Sequence, residues 1–184
     1  MTITFANKIT VLRILTVPAF IMAVLYLNEV NQYLKTVALG LFLFAAISDA
    51  VDGYIARTFN QQTRLGALLD PIADKLLLVS AFVCLFVMRE QFGSVQLPFW
   101  LLIVIISRDI ILLAGFMILH LLQPGATVKP TKAGKLTTFF QALAVIGIFL
   151  QWEYSFVLWW VILVLSVATT LDYIIRNLQP HRSA

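Results

Sequence analysis

Charge is scarce in this chain: 12% of its 184 residues are charged, with nine Asp and Glu against thirteen Lys and Arg. That is too little to solvate the surface of an ordinary soluble domain. Hydrophobic residues make up 61%, where a soluble domain carries roughly 45–50%, and the mean hydropathy is +0.94. Cysteine is almost absent. The lone Cys84 excludes an intrachain disulfide, says little about redox compartment and sits in an apolar run where packing is its ordinary role. His120 and His181 have no second ligand at metal spacing. No internal repeat, low-complexity segment or soluble domain interrupts the chain, which predicts one membrane domain over 1–184 and no nucleic-acid partner.

What the chain does have is long apolar runs. About 20 apolar residues cross the hydrocarbon core, and six stretches qualify, at 9–28, 36–56, 66–88, 97–121, 136–151 and 154–175. The expectation is an all-α integral membrane protein with six transmembrane helices and its termini on one side. The first stretch does not have the form of a signal peptide, since Lys8 and Arg13 fall in or beside it and no small-residue cleavage site follows Leu27. It is expected to stay.

Lys and Arg in short loops mark the cytoplasmic side. The face with the termini carries Lys8, Arg57, Arg64, Lys129, Lys132, Lys135, Arg176 and Arg182, and the other carries Lys35 and Arg89. Both termini are therefore expected in the cytoplasm, with the basic face toward anionic head groups of the inner (cytoplasmic) membrane. The connection Gln123–Lys135, broken by Pro124, Gly125 and Pro130, is read as a cytoplasmic loop. Trp152, Tyr154, Trp159 and Trp160 suit an interfacial aromatic belt. Asp172 and Arg176, four residues apart, suit a surface pair worth about 0.3–0.5 kcal/mol.

Against this background the stretch SDAVDGYIARTFNQQTRLGALLDPIADK, Ser48–Lys75, holds four aspartates: Asp49, Asp52, Asp70 and Asp74. An ionised Asp at the centre of a membrane helix costs roughly 2.5–3.5 kcal/mol, so four cost on the order of 10–14 kcal/mol, as much as a whole domain's stability. Arg57, Arg64 and Lys75 are the nearby cations, and exposed pairs contribute about 1 kcal/mol or less. Divalent cations compensate far better. Asp49 and Asp52 stand at i and i+3, Asp70 and Asp74 at i and i+4, so each pair lies on one helix face, about 4.5 and 6 Å apart along the axis. The short link Thr58–Leu65 makes the two helices antiparallel neighbours. Four carboxylates converging on one place are hard oxygen donors suited to one or two Mg²⁺, Mn²⁺ or Ca²⁺ ions, and such a site binds phosphate groups. Gly53 and Ala56 leave room for a ligand, Gly66 clears the facing helix, and the Arg57 guanidinium matches a phosphate. Pro71 removes a backbone donor.

These residues resemble the signature of the CDP-alcohol phosphotransferase family, D-x-x-D-G-x-x-A-R, eight or nine residues, G-x-x-x-D-x-x-x-D. All eight fixed positions are matched, by Asp49, Asp52, Gly53, Ala56, Arg57, Gly66, Asp70 and Asp74. The resemblance implies transfer of a phosphatidyl group from CDP-diacylglycerol to an alcohol with release of CMP, and a homodimer. It implies two divalent cations, Mg²⁺ or Mn²⁺, held by the four aspartates, with Asp74 also the general base. Gly53, Ala56, Arg57 and Gly66 would line the nucleotide and pyrophosphate pocket.

The acceptor must be read elsewhere. Asn7, Lys8, Thr10 and Arg13 in ANKITVLR resemble the N-L-T-x-x-R opening of the glycerophosphate-using members, with Ala6 where proline is common. Asn7 and Thr10 are candidates to face the nucleotide, and Lys8 and Arg13 equally suit snorkelling to the interface. Arg108, beside Asp109, lies well inside the fourth run, where an arginine is a functional-site hypothesis by default. KPTKAGKLTTFFQ resembles the G-K-x-x-T-x-x-Q element of the same members through Gly134, Lys135, Thr138 and Gln141. Lys132 is read as solvated charge. Arg108, Lys135 and Thr138 would hold the phosphate of a phosphorylated acceptor. Sn-glycerol 3-phosphate comes first and inositol 1-phosphate second, with serine and choline behind. A cation transporter or channel is the alternative from another class, but Arg57 would oppose a passing cation.

Overall fold

The computed structural model describes the backbone of residues 5–28, 30–58, 66–122 and 132–178 and, within these, the side chains of 15–28, 30–48, 75–115, 117 and 133–175. Six α-helices fall on the six apolar runs: α1 (Phe5–Leu25), α2 (Tyr33–Thr58), α3 (Gly66–Val87), α4 (Phe99–Leu122), α5 (Lys132–Phe149) and α6 (Ser155–Leu178). A 3₁₀ turn, Arg89–Phe92, follows α3. Helices α1 and α5 start four residues before the corresponding apolar runs, because a helix closes its own backbone hydrogen bonds whether or not its residues are apolar.

The helices sort into two compact units, Met1–Gln96 and Leu97–Ala184. In the first, α1 packs on both α2 and α3, and α2 also touches α3. Phe20 and Val24 of α1, Ala38, Phe42 and Ala45 of α2, and Leu78, Phe82 and Leu85 of α3 are buried at helical spacing, with Leu27 buried just beyond the end of α1. Phe20 and Phe42 meet at 6.1 Å between ring centroids. At the end opposite the aspartates, Lys35 lies over the Phe92 ring and Arg89 over the Phe86 ring, at 5.4 and 5.0 Å. Both cations expected on the outer face thus rest on aromatic rings, and partial burial lowers the Lys35 ammonium pKa.

In the second unit α6 packs against α4 and α5. Trp100 meets Trp160 at 5.8 Å, Arg108 reaches Thr169, and a side-chain carbon added at Gly115 would run into the Tyr173 ring. The offset between partners stays near sixty residues in all three contacts, so α4 and α6 run parallel in one register. The close approach at Gly115 needs a residue without Cβ.

This unit is inverted relative to a soluble protein. Arg108, Asp109, Gln141, Ser166 and Thr169 are buried, while Ile103, Ile110, Val157, Val164 and Leu171 are exposed. Polar groups inside and apolar groups outside suit a hydrocarbon solvent and would be costly in water. Among the described residues, Ser155–Ile175 is the one helix long and apolar enough to cross a membrane; the described apolar parts of α1, α2, α3 and α5 are shorter.

The α5–α6 turn is tight. Gln151 takes φ 54°, its N–H bonds the Ile148 carbonyl and the Trp152 N–H bonds that of Gly147, closing the end of α5. The Ser155 hydroxyl donates to the Trp152 carbonyl at 2.6 Å and sits directly over Gly147, where an added Cβ would lie 2.7 Å from it. Because that hydroxyl is fixed, Gly147→Ala is expected to destabilise the protein by about 1–3 kcal/mol, read as a lower melting temperature in detergent. Adding Ser155→Ala should recover most of the loss. Equal melting of wild type and Gly147→Ala would contradict the packing.

Candidate active site

The predicted site residues fall in two groups, one on each unit. In α2, Asp49 and Asp52 occupy positions three apart, with Gly53, Ala56 and Arg57 following before the helix ends at Thr58. Helix α3 opens on Gly66, carries Asp70 and Asp74 within its first three turns and continues through Pro71. Both carboxylate pairs therefore sit at the ends of α2 and α3 that the 59–65 link joins, on helices that touch. Asn7 and Thr10 lie in the first two turns of α1, which packs on both helices. For all ten residues, Asn7, Thr10, Asp49, Asp52, Gly53, Ala56, Arg57, Gly66, Asp70 and Asp74, the helical backbone is described and the side chains lie outside the described residues.

The donor set can be judged by its chemistry. Four carboxylates paired at i,i+3 and i,i+4 on two contacting helices, with no nitrogen or sulfur donor among them, fit a hard divalent cation. These residues are the ones that would hold it.

The second group is built from side chains. Arg108 lies nine residues into α4, 4% exposed, with Nη1 donating to Asp109 Oδ1 at 2.7 Å; Asp109 is 3% exposed. Its Nε donates across to Thr169 Oγ1 of α6 at a longer 3.4 Å. Adjacent residues on a helix do not face each other, so the guanidinium folds back to reach its neighbour. Lys135 is exposed in the first turn of α5. Thr138 donates its hydroxyl proton to the Gly134 carbonyl at 3.1 Å, so it would have to release that bond before donating to a phosphate. Gln141 is fully buried, and among the described residues neither amide atom has a hydrogen-bond partner.

Register sets the relative depth of Arg108 and Lys135. Gly147 is level with Ser155; Thr169, which anchors Arg108, lies 14 residues or about 21 Å further along α6, and Lys135 lies 12 residues or about 18 Å back along α5. The two cations stand at nearly one level, Arg108 inside the unit and Lys135 on its surface. Thr169 was not among the predicted site residues. Its signal was present as SVATT, where Ser166, Thr169 and Thr170 follow the apolar run 156–165 of α6.

Comparison with known proteins defines the class. Residues 3–171 match the model of the CDP-alcohol phosphatidyltransferase family, and the chain belongs to that family. It is 34% identical over 95% of its length, and 81% of the relative's, to a Mycobacterium tuberculosis protein described as "Probable phosphatidylglycerophosphate synthase". It is 32% identical to the Bacillus subtilis CDP-diacylglycerol–glycerol-3-phosphate 3-phosphatidyltransferase over 93% of each chain. A second M. tuberculosis protein, provisionally described as a cardiolipin synthase, is 36% identical over 74% of this chain and 60% of its own. Family membership sets the ion-pathway alternative aside.

Proposed function

We propose that this protein transfers the phosphatidyl group of CDP-diacylglycerol to sn-glycerol 3-phosphate, giving phosphatidylglycerophosphate and CMP. The observation that carries the reading is similarity over more than nine-tenths of the chain to relatives described as making that lipid or using that acceptor. The eight matched motif positions on α2 and α3 support the same chemistry.

Asp74 takes the proton from the acceptor's hydroxyl. The freed oxygen bonds to the phosphorus that carries diacylglycerol, and the bond from that phosphorus to the CMP oxygen breaks, so CMP leaves with the electron pair. Asp49, Asp52, Asp70 and Asp74 would hold two divalent cations, Mg²⁺ or Mn²⁺, which would supply charge neutralisation at the phosphate oxygens. Gly53, Ala56 and Gly66 keep the nucleotide side open, Arg57 meets a phosphate, and Asn7 and Thr10 face the nucleotide. Arg108 and Lys135 receive the acceptor's phosphate.

The surrounding protein is a single six-crossing domain in the inner membrane. Its termini and active site face the cytoplasm, and it works as a homodimer. The inverted second unit and the eight-to-two distribution of Lys and Arg support this placement. A phosphatidylglycerol acceptor is the second reading, favoured by the relative described as a cardiolipin synthase.

The test is incorporation of labelled glycerol 3-phosphate into lipid by purified protein in detergent with CDP-diacylglycerol. Incorporation is expected with Mg²⁺ or Mn²⁺, to disappear with excess chelator and to return on adding the metal. Unchanged incorporation in chelator would remove the cation from the account, and none in any condition would remove the acceptor.

A further inference from the structure

The Arg108 guanidinium is charged, buried and held by a carboxylate. Its salt bridge is to the next residue in the same helix, at 2.7 Å, and the second contact, to Thr169 Oγ1, is longer at 3.4 Å. Among the described residues these contacts use two of its five N–H donors. An arginine this deep without a counter-charge would be costly, so the bound carboxylate accounts for its stability while no anion is present. The same carboxylate is an obstacle once an anion arrives. A phosphate taking the terminal nitrogens in bidentate fashion needs the edge of the guanidinium that Asp109 now shares. A phosphate that takes Nη1 in place of Asp109 would make the pair a two-state element.

We propose that Asp109 is a resting counter-ion that the acceptor's phosphate displaces from Arg108, and that Thr169 is the pivot holding Nε while the terminal nitrogens change partner. This rests on the reading of Arg108 as the acceptor-phosphate ligand. Asp109 and Thr169 are then positioning residues: they act through Arg108 and set how tightly the acceptor is held. Register gives the exchange a place to occur, since the Thr169 level of α6 is also the level of Lys135 on α5. A phosphate drawn to the exposed ammonium of Lys135 arrives at the depth of the buried guanidinium.

The consequence is an affinity effect with a sign that a merely structural residue would not produce. Asp109→Asn removes the competitor and keeps the shape of the side chain. The KM for glycerol 3-phosphate is expected to fall by about fivefold or more, the lower end of ordinary coupling between sites, with kcat changed little. Apo protein should melt lower, because Arg108 has lost its counter-charge, and glycerol 3-phosphate should raise the melting temperature more than in wild type, since the ligand now supplies that charge. Thr169→Val fills the same space without the hydroxyl and should survive extraction even if Asp109→Asn does not. It is expected to raise the KM about threefold to tenfold at similar kcat, a modest change in keeping with the length of the contact, about 1 kcal/mol for an ordinary hydrogen bond.

A KM for Asp109→Asn that is unchanged or higher, or an unchanged KM for Thr169→Val, overturns the proposal. Arg108→Gln in the same assay keeps the two levels apart. If it leaves the KM at the wild-type value, the assignment of Arg108 to the acceptor falls. If it raises the KM while the other two variants behave like wild type, Arg108 stands and the exchange with Asp109 does not.

Discussion

Asp74→Asn should lower turnover by about 10²–10⁴-fold, the usual contribution of a general base, while the protein extracts, sizes and melts like wild type. The two effects separate because Asn has the same shape and cannot accept the hydroxyl's proton. Asp49→Asn and Asp52→Asn should also depress turnover, but part of their loss should be recovered by raising Mg²⁺, whereas a base cannot be replaced by more metal. Turnover of Asp74→Asn above about a tenth of wild type would show that another group takes the proton.

Arg108→Gln is expected to raise the KM for glycerol 3-phosphate by about 10- to 150-fold, from the loss of a charged hydrogen bond worth about 1.5–3 kcal/mol. It should also cost stability, because Asp109 is left as a buried carboxylate without its guanidinium, a change that typically costs about 3–5 kcal/mol. Arg108→Lys restores the charge but not the planar fork, so stability should recover further than affinity does. The KM for CDP-diacylglycerol should stay near wild type in both variants, and a rise there equal to that for the acceptor would place Arg108 at the nucleotide instead.

The helices and the spacing of the aspartates are legible in the sequence. The six apolar runs are the places of α1 to α6: a helix satisfies its backbone hydrogen bonds within the segment, so a long apolar run reads readily as one. The spacing of Asp49 with Asp52 and of Asp70 with Asp74 was readable for a related reason: on a helix, sequence distance is geometry. What could not be read was which helix faces which, and at what level. The contact from Arg108 to Thr169 spans 61 residues and depends on the register set by Trp100 against Trp160 and by Gly115 beneath Tyr173. SVATT marks Thr169 as a polar position, but nothing local to it names Arg108 as its partner. The clamp of Ser155 over Gly147 is of the same kind, since either residue alone would pass as a packing position in an apolar helix. Thr138 shows the converse limit: its place in the motif was legible, but its bond to Gly134 appears only once the hydroxyl has a rotamer.

The most direct test of the central claim is to give purified protein CDP-diacylglycerol and Mg²⁺ in separate reactions with glycerol 3-phosphate, inositol 1-phosphate or phosphatidylglycerol, and to measure CMP released together with the mass of the lipid formed. One CMP for each phosphatidylglycerophosphate, with glycerol 3-phosphate alone, is the expected result. Cardiolipin or phosphatidylinositol phosphate in its place, with glycerol 3-phosphate inert, would contradict the acceptor assigned to Arg108 and Lys135.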